Sequence, residues 1–537
     1  MRHCRSANRV GRRRRTSPVR TGALIALAAM LDACAVGPDF LPREAPVQNE
    51  WIESGDTRLA THSGVRLHWW RLFNDPTLDR LVNRAAEENL TVQIAGLRIL
   101  QARAQLGVAV GQLFPQTQEG SGGAQQNLLS SQVANQSNVQ HSFATYGLGF
   151  DAGWELDFWG KFRRNVEAAE AGLATTTADY DNALVSLTAE VARSYTTMRT
   201  SEALIALARE NARVQKEGLD VAQSRFRNGA TSELDVAQAR SLLESTLATI
   251  PELQSQLQQS KNALSILLGR PPGGIEAMLR APGQIPAPPR RAAIGMPADL
   301  LRRRPDVRSA ELAAAAECAR IGVAEAELYP HFILLGDISV QSSDVAKLFG
   351  PNSLAYSIGP TFRWSILNYG QITNNIRAQD ARFQQALVNY QNTVLKAAQE
   401  VEDGLIGYLK EQESVVASQR SVDASRRAVQ LAMIQYREGE ENYQRVIDSE
   451  RAMFQEMIKL AQTRSSVATN LIAVYKALGG GWELREGKPI VPPATQAEMA
   501  ARTNWGTLLP AQSPPLTPDL PPPVPASATP LLLPPDW

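Results

Sequence analysis

The sequence predicts a mixed α/β membrane protein built from an internal duplication. Four strands supply one sector of a shared β-barrel, and very long α-helices continue it as a wall. Three observations predict this. Shifting the numbering by 210 lays Tyr146–Gly269 on Tyr356–Gly479 without a gap, so that Gly149 meets Gly359, Trp154 meets Trp364, Tyr180 meets Tyr390, and Phe226-Arg227-Asn228-Gly229 meets Tyr436-Arg437-Glu438-Gly439. A repeat of this length is one structural unit built twice. Each copy opens on a segment alternating with period two, and each continues into a stretch of about 68 residues without proline, roughly 100 Å if helical.

The N-terminus reads as an export signal. The first 33 of the 537 residues hold eight Arg and one Asp, and Ala23–Leu31 is a short apolar run. That run is too short to span a bilayer. Leu31-Asp32-Ala33-Cys34 resembles the bacterial lipobox, in which the Cys becomes the lipidated first residue, although Asp32 stands where a small or aliphatic residue is usual. An ordinary signal followed by a chance Cys is the alternative. Residues 1–33 are thus expected to be a lipoprotein signal peptide and Cys34 the lipidation site, its acyl chains adding membrane affinity. Without the signal, 47 basic residues face 53 acidic ones, so the basic end gives no reason to expect a nucleic-acid partner. Of the three Cys, Cys4 leaves with the signal and Cys34 is acylated, so Cys318 stands alone as a small core residue and no disulfide is expected.

Residues 34–66 carry Pro38, Pro42 and Pro46 without a clear period and read as an extended arm. The first repeat is placed at 67–269. Its first helix is expected from Pro76, a favoured first helical position, to about Gly111, with Leu78, Leu81, Val82, Ala85 and Ala86 on one face. Leu113-Phe114-Pro115 ends it, as Leu328-Tyr329-Pro330 ends its counterpart 215 residues later. The next segment alternates sharply: Tyr146, Leu148, Phe150, Ala152, Trp154, Leu156 and Phe158 face one way, with Gly, Asp and Glu between them. Tyr356, Ile358, Pro360, Phe362, Trp364 and Ile366 repeat the pattern, and His331–Gln341 alternates more weakly. For residues 116–130, rich in Gln and Gly, only the duplication argues for a strand.

Four strands with one apolar face need a cover. Lipid supplies one, and in lipid the sheet must close. Four strands are too few for a membrane barrel, whose minimum is about eight, so several chains must share it. A soluble sandwich burying the same face is the alternative. The two long helices, expected over 161–228 and 371–438, are rich in Ala, Ser, Thr, Gln and Asn and suit side-by-side packing in a coiled-coil wall. Gly229 and Gly439 end them at two hairpin tips, and return helices follow at about 231–268 and 441–478. Residues 270–296 form a proline-rich linker and 297–482 the second repeat. Residues 483–537, which hold fourteen of the thirty-two prolines, read as a tail without a fixed fold.

No catalytic chemistry is indicated. The five His (His3, His62, His68, His141, His331) make no ligand spacing, and no Gly-rich phosphate loop follows a strand. Neither enzyme activity, a metal nor a cofactor beyond the lipid on Cys34 is expected. Arg302-Arg303-Arg304-Pro305-Asp306 suggests an anion site at first sight, but it opens a helix with Asp306 near the positive end and is read as structural.

Four stretches carry a family likeness: Cys34-Ala35-Val36-Gly37-Pro38-Asp39-Phe40; Trp69-Trp70 with Phe73, Asp75-Pro76 and Leu78; Pro297-Ala298-Asp299-Leu300-Leu301-Arg302-Arg303-Arg304-Pro305-Asp306-Val307; and Tyr475-Lys476-Ala477-Leu478-Gly479-Gly480-Gly481-Trp482. On these residues the chain resembles the outer-membrane efflux proteins of Gram-negative bacteria, the TolC-like channel-tunnels, in their lipoprotein branch. The resemblance implies a homotrimer with one twelve-stranded barrel in the outer membrane and a periplasmic α-helical tunnel. It further implies a periplasmic adaptor and an inner-membrane pump of the resistance-nodulation-division class as partners, and passive conduction of small molecules. A type I protein-secretion channel of the same architecture and a soluble periplasmic coiled-coil adaptor are the competing readings. The functional residues are expected at the tips: Arg227, Gly229, Arg437, Glu438, Gly439, Glu440 and Glu441. The family often places aspartates before the second tip, but Ala424–Arg437 contains no acid. Glu438, Glu440 and Glu441 would replace them as a cation-attracting ring, unless they are only a solvated charge run. Arg227 and Arg437 would lock the closed tips by pairing with acids on a neighbouring hairpin.

Overall fold

A computed structural model describes residues 35–42, 47–60, 68–132, 140–279, 283–295 and 303–509. The signal peptide and Cys34 lie outside the described residues, as does the end of the tail. The first copy begins with a one-turn 3-10 helix at Trp69–Phe73, then α1 (Pro76–Glu88) and α2 (Leu90–Gly111). Next come β2 (Thr117–Leu128), β3 (Ser142–Leu156), α3 (Lys161–Arg227) and α4 (Glu233–Leu267). A short strand β1 (Leu59–Ala60) precedes them, and a one-turn α5 (Glu276–Leu279) and β4 (Ala292–Ala293) follow. The second copy is α6 (Pro305–Ala326), β5 (His331–Ser342), β6 (Leu354–Arg363), α7 (Gln371–Glu438) and α8 (Tyr443–Ala477). A final helix α9 spans Pro493–Arg502.

The long strands form one antiparallel sheet in the order β2-β3-β5-β6. Its register sets Leu148 beside Val340, and Phe150 beside Ile338, which in turn pairs with Tyr356. The apolar face is therefore continuous across the three strands β3, β5 and β6. Among the described residues it has no cover: Tyr356 and Ile358 are each 74% exposed and Phe362 is 65% exposed. The opposite face carries Glu119, Asp151 and Asp337 in one row, because Glu119 pairs with Asp151 and Asp151 with Asp337. Residues 117–128, where only the duplication argued for a strand, pair with β3 along their whole length.

Below the sheet the helices run as two hairpins, α3–α4 and α7–α8, packed along α3 and α8. At the junction Trp154 Nε1 donates to Leu113 O (3.1 Å) and Trp364 Nε1 to Leu328 O (3.0 Å), the same clamp in each copy. The main core lies midway along the helices. There Trp69 stacks on Tyr475 (5.8 Å, 9°) and donates to Gly480 O, so the start of the first copy closes on the end of the second. Arg304 is buried and bonds Asp306, Glu400 and Ala477 O. That ties the opening of α6 to both helices of the second hairpin and gives the basic run a structural role.

Two expectations are corrected. The single helix expected from Pro76 to about Gly111 breaks at Asn89, whose Oδ1 accepts from Val92 N–H (3.0 Å) and whose Nδ2 donates to Leu267 O (2.8 Å). A side chain that caps a new helix start stabilises the interruption. The extended arm docks on the body: β1 pairs in parallel with β4, and Trp51 Nε1 donates to Gly295 O. Residues 483–509 are folded against the body, with Ile490 2% and Val491 0% exposed. The tail backbone passes so close to α2 that a Cβ on Gly96 would lie 2.0 Å from Ile490 O. Arg485 and Asp181, both buried, meet at 2.5 Å. Apolar Ile490, Val491 and Met499 outweigh the local prolines once a groove is present to bury them.

Candidate functional site: the hairpin tips

Both tips reverse the chain in the same way. Gly229 and Gly439 take φ of 69° and 85°, a left-handed conformation that glycine adopts without steric cost. At the second tip Gly439 N–H donates to Tyr436 O (3.2 Å) and Glu440 N–H to Gln435 O (2.9 Å). At the first, Gly229 N–H donates to Phe226 O (3.0 Å) and Ala230 N–H to Arg225 O (2.9 Å). This pair of bonds closes a helix with a glycine cap.

The side chains around the turns are not equivalent. Tyr436 is 1% exposed, while Phe226, its counterpart, is 44% exposed. Tyr436 is enclosed because it packs on Tyr443 (5.0 Å between rings) within a small core shared by all four hairpin helices, including Leu219, Ala222, Leu242 and Ile447. Its hydroxyl donates to Asp235 Oδ2 (3.4 Å), and burial pushes its phenol pKa up. Asp235 also accepts from the Thr231 hydroxyl.

Arg225, one turn before the first tip, joins the two tips. Its guanidinium lies 4.7 Å from the Tyr436 ring centroid and donates to the carbonyls of Tyr436 and Arg437, the latter at 3.0 Å. The first hairpin is thereby fastened to the open carbonyls at the end of α7, where a cation is electrostatically favoured. Sequence reasoning missed Arg225. Its one available signal was position: an Arg in the last turn of the first long helix, where the second copy has Gln435.

The expected tip residues are spread around this link. Arg227 and Arg437 are exposed, and among the described residues neither guanidinium meets a carboxylate of the same chain; Arg437 contributes only its carbonyl. Glu438 and Glu440 are exposed, and Glu441 pairs with Arg445 at 3.6 Å along α8. The three glutamates thus sit together at the end of the second hairpin. Among the described residues no group of His, Cys, Asp and Glu is arranged to hold a metal, and no helix is long and apolar enough to cross a membrane.

At the other end of α3 the chain's start is pinned. Val36 N–H donates to Trp159 O (3.0 Å), and the buried Arg164 donates to Val36 O, Gly37 O and Asp39. Cys318 Sγ donates to Pro38 O at 3.5 Å. Residue 36 therefore lies at the foot of the sheet, beside Trp159, which is three residues past the end of β3.

The family described as "Outer membrane efflux protein" matches residues 81–270 and 296–480, one stretch in each copy. Nodulation protein T of Rhizobium leguminosarum bv. trifolii is 30% identical over 84% of this chain and 96% of its own length. The probable efflux pump outer membrane protein TtgC of Pseudomonas putida is 29% identical over 87% of this chain and 97% of its own. The solved outer-membrane channel OprN superposes with a TM-score of 0.79 at 32% identity, covering 84% of this chain and all of that one.

Proposed function

Because this chain belongs to the outer membrane efflux protein family, we propose that it is the outer-membrane channel of a tripartite efflux system, conducting small molecules passively from the periplasm to the exterior. One observation carries the reading: a sheet with an exposed apolar face and two unpaired edges runs directly into helices of 67 and 68 residues. Backbone groups at open edges cannot stand unpaired in hydrocarbon, so the sheet calls for other copies. Three copies give a twelve-stranded barrel above a helical tunnel. Membership of a family described as outer membrane efflux proteins supports a conduit rather than an enzyme.

The tips are the aperture. In one chain Arg225 holds the two hairpins together; Arg227, Arg437, Glu438 and Glu440, with Glu441 beside them on its Arg445, face neighbouring copies and a periplasmic adaptor, which would connect the channel to an inner-membrane pump of the resistance-nodulation-division class. Cys34 is the lipid anchor. The Val36–Trp159 bond supports this, since it holds the residue two places after Cys34 at the base of the sheet, where the periplasmic face of the outer membrane would lie. Trp154 and Trp364, donating from the apolar face at the same level, suit the membrane–water boundary.

The test is extraction and conductance. The mature protein should require detergent, run as a heat-modifiable trimer and form channels in planar bilayers. A monomer soluble without detergent would refute the reading.

A further inference from the structure

The four-stranded sheet ends in two free edges, β2 and β6, and the repeat contains a template for how they meet. Thr117 pairs with Gly153, and His331 pairs with Arg363. Gly153 maps onto Arg363 under the 210-residue repeat, so Thr117 maps onto His331, an offset of 214 within the strands. The central seam β3–β5 is therefore the within-chain image of a seam between β6 and the β2 of a second copy. At the central seam Gly153 lies opposite Leu335 and Trp154 opposite Leu334. Carried across by the two offsets, these pairings set Arg363 opposite Ser121 of the second copy and Trp364 opposite Gly120, and they keep the apolar faces on one side.

Three features of the free edges fit this register. First, β3 continues to Leu156, but β6 stops at Arg363, although Ile366 is the counterpart of Leu156. Trp364 and Ile366, 49% and 69% exposed, stand where a partner strand is missing. Second, Trp159 stacks on Tyr329 at 4.6 Å and donates to Pro330 O. Its counterpart Tyr369 is 97% exposed, and the counterparts of Tyr329-Pro330 are Phe114-Pro115 beside the other free edge. The ring on one edge thus lacks the ring that the other edge carries. Third, the side chains of Arg363 on β6 and Glu119 on β2 are exposed and, among the described residues, make no hydrogen bond or ion pair in the chain. In this register Glu119 is two residues from Ser121. Diagonal neighbours lie about 7–8 Å apart, within reach of long side chains.

We propose that β6 joins the β2 of a second copy with Arg363 opposite Ser121, and that an Arg363–Glu119 ion pair and a Tyr369–Phe114 ring contact close this seam. The inference rests on the shared-barrel reading above and adds to it the register and the residues.

Disulfide trapping tests the register. Opposite residues in an antiparallel pair lie about 4.5–5.5 Å apart between Cα atoms, within the span of a disulfide. With Cys318→Ser as background, Arg363→Cys combined with Ser121→Cys is expected to link chains to one another on oxidation, whereas Arg363→Cys combined with Thr117→Cys is not. Linkage only in the Thr117→Cys variant overturns the register. No linkage in a protein that is still an oligomer by mass overturns the seam but leaves the channel reading standing; a monomer overturns both. Charge reversal tests the ion pair without cysteines. Arg363→Glu and Glu119→Arg should each lower the temperature at which the oligomer dissociates in detergent gels, and the double reversal should restore it. Failure to restore overturns the pair.

Discussion

The guanidinium of Arg225, at the end of the first long helix, lies 4.7 Å from the ring of Tyr436, at the end of the second. The two side chains belong to different copies of the repeat yet hold one tip against the other. A cation over a desolvated ring and charge-assisted bonds to two carbonyls together contribute about 2 kcal/mol, roughly thirtyfold in a closed–open equilibrium. Arg225→Ala should therefore raise single-channel conductance or open probability more than Arg227→Ala or Arg437→Ala, whose guanidiniums meet no carboxylate of the same chain among the described residues. Equal effects from all three, read in planar bilayers, would remove Arg225 from its special place.

The C-terminal segment is held by a buried ion pair. Arg485 and Asp181 are 4% and 3% exposed and 2.5 Å apart. Removing one partner of such a pair strands the other charge, at a cost of about 3–5 kcal/mol. Arg485→Met should lower the unfolding temperature of the purified protein and expose the segment after Trp482 to protease. Adding Asp181→Leu to that variant should recover much of the loss, since an apolar pair of similar volume is often tolerated. A double variant no better than the single one would show that the ion pair matters for more than charge balance.

How much of this was legible follows from the range of the interactions. Tyr146 to Leu156 and Tyr356 to Phe362 advertise their strands because alternation is local, and Gly229 and Gly439 mark the turns because only the backbone there decides the residue. The break at Asn89 was hidden, since its amide also serves Leu267, 178 residues away. Ile490 and Val491 sit among prolines and read as tail; the groove beside Gly96 that buries them is built by other segments. Arg225 was missed for a similar reason. Its partner is 211 residues on, and the copies differ there: Phe226 is exposed where Tyr436 is buried. The repeat revealed what the copies share, and concealed the residues by which they differ.

The N-terminal arm gives a third prediction. Cys34→Ser should abolish labelling by radioactive palmitate, and the chain should still assemble, because Val36 and Arg164 fix the arm without the lipid. Cys318 offers the control. Burial pushes its thiol pKa up to about 11, so the thiolate that reacts with maleimide is scarce at neutral pH. The native protein should remain unlabelled and react only after unfolding. Ready labelling of the native Cys34→Ser variant would show that the arm does not cover Cys318.

Glu450 lies on α8 with both carboxyl oxygens buried and without a hydrogen-bond partner among the described residues. Tyr443 Oη sits 2.7 Å from where a Cβ on Gly218 would be, and Thr200 bonds Ser465 at 2.8 Å. Between these two contacts the antiparallel register sets Glu450 level with Asn211, whose side-chain amide is also buried and unpartnered. Burial pushes the Glu450 pKa up to about 7. The unfolded chain releases this proton near the ordinary glutamate value, but the folded one keeps it until about pH 7. The folded state thus binds more protons across that window, and stability falls as pH rises through it, levelling off once the folded carboxyl ionises. Glu450→Gln keeps the shape and removes the titration. It should stabilise the protein at pH 7.5 by on the order of 3 kcal/mol while changing little at pH 4, and flatten the dependence between. Thermal unfolding of both proteins across that range measures it. Parallel curves would mean that the carboxylate finds compensation in the assembled protein, from water or from a neighbouring copy.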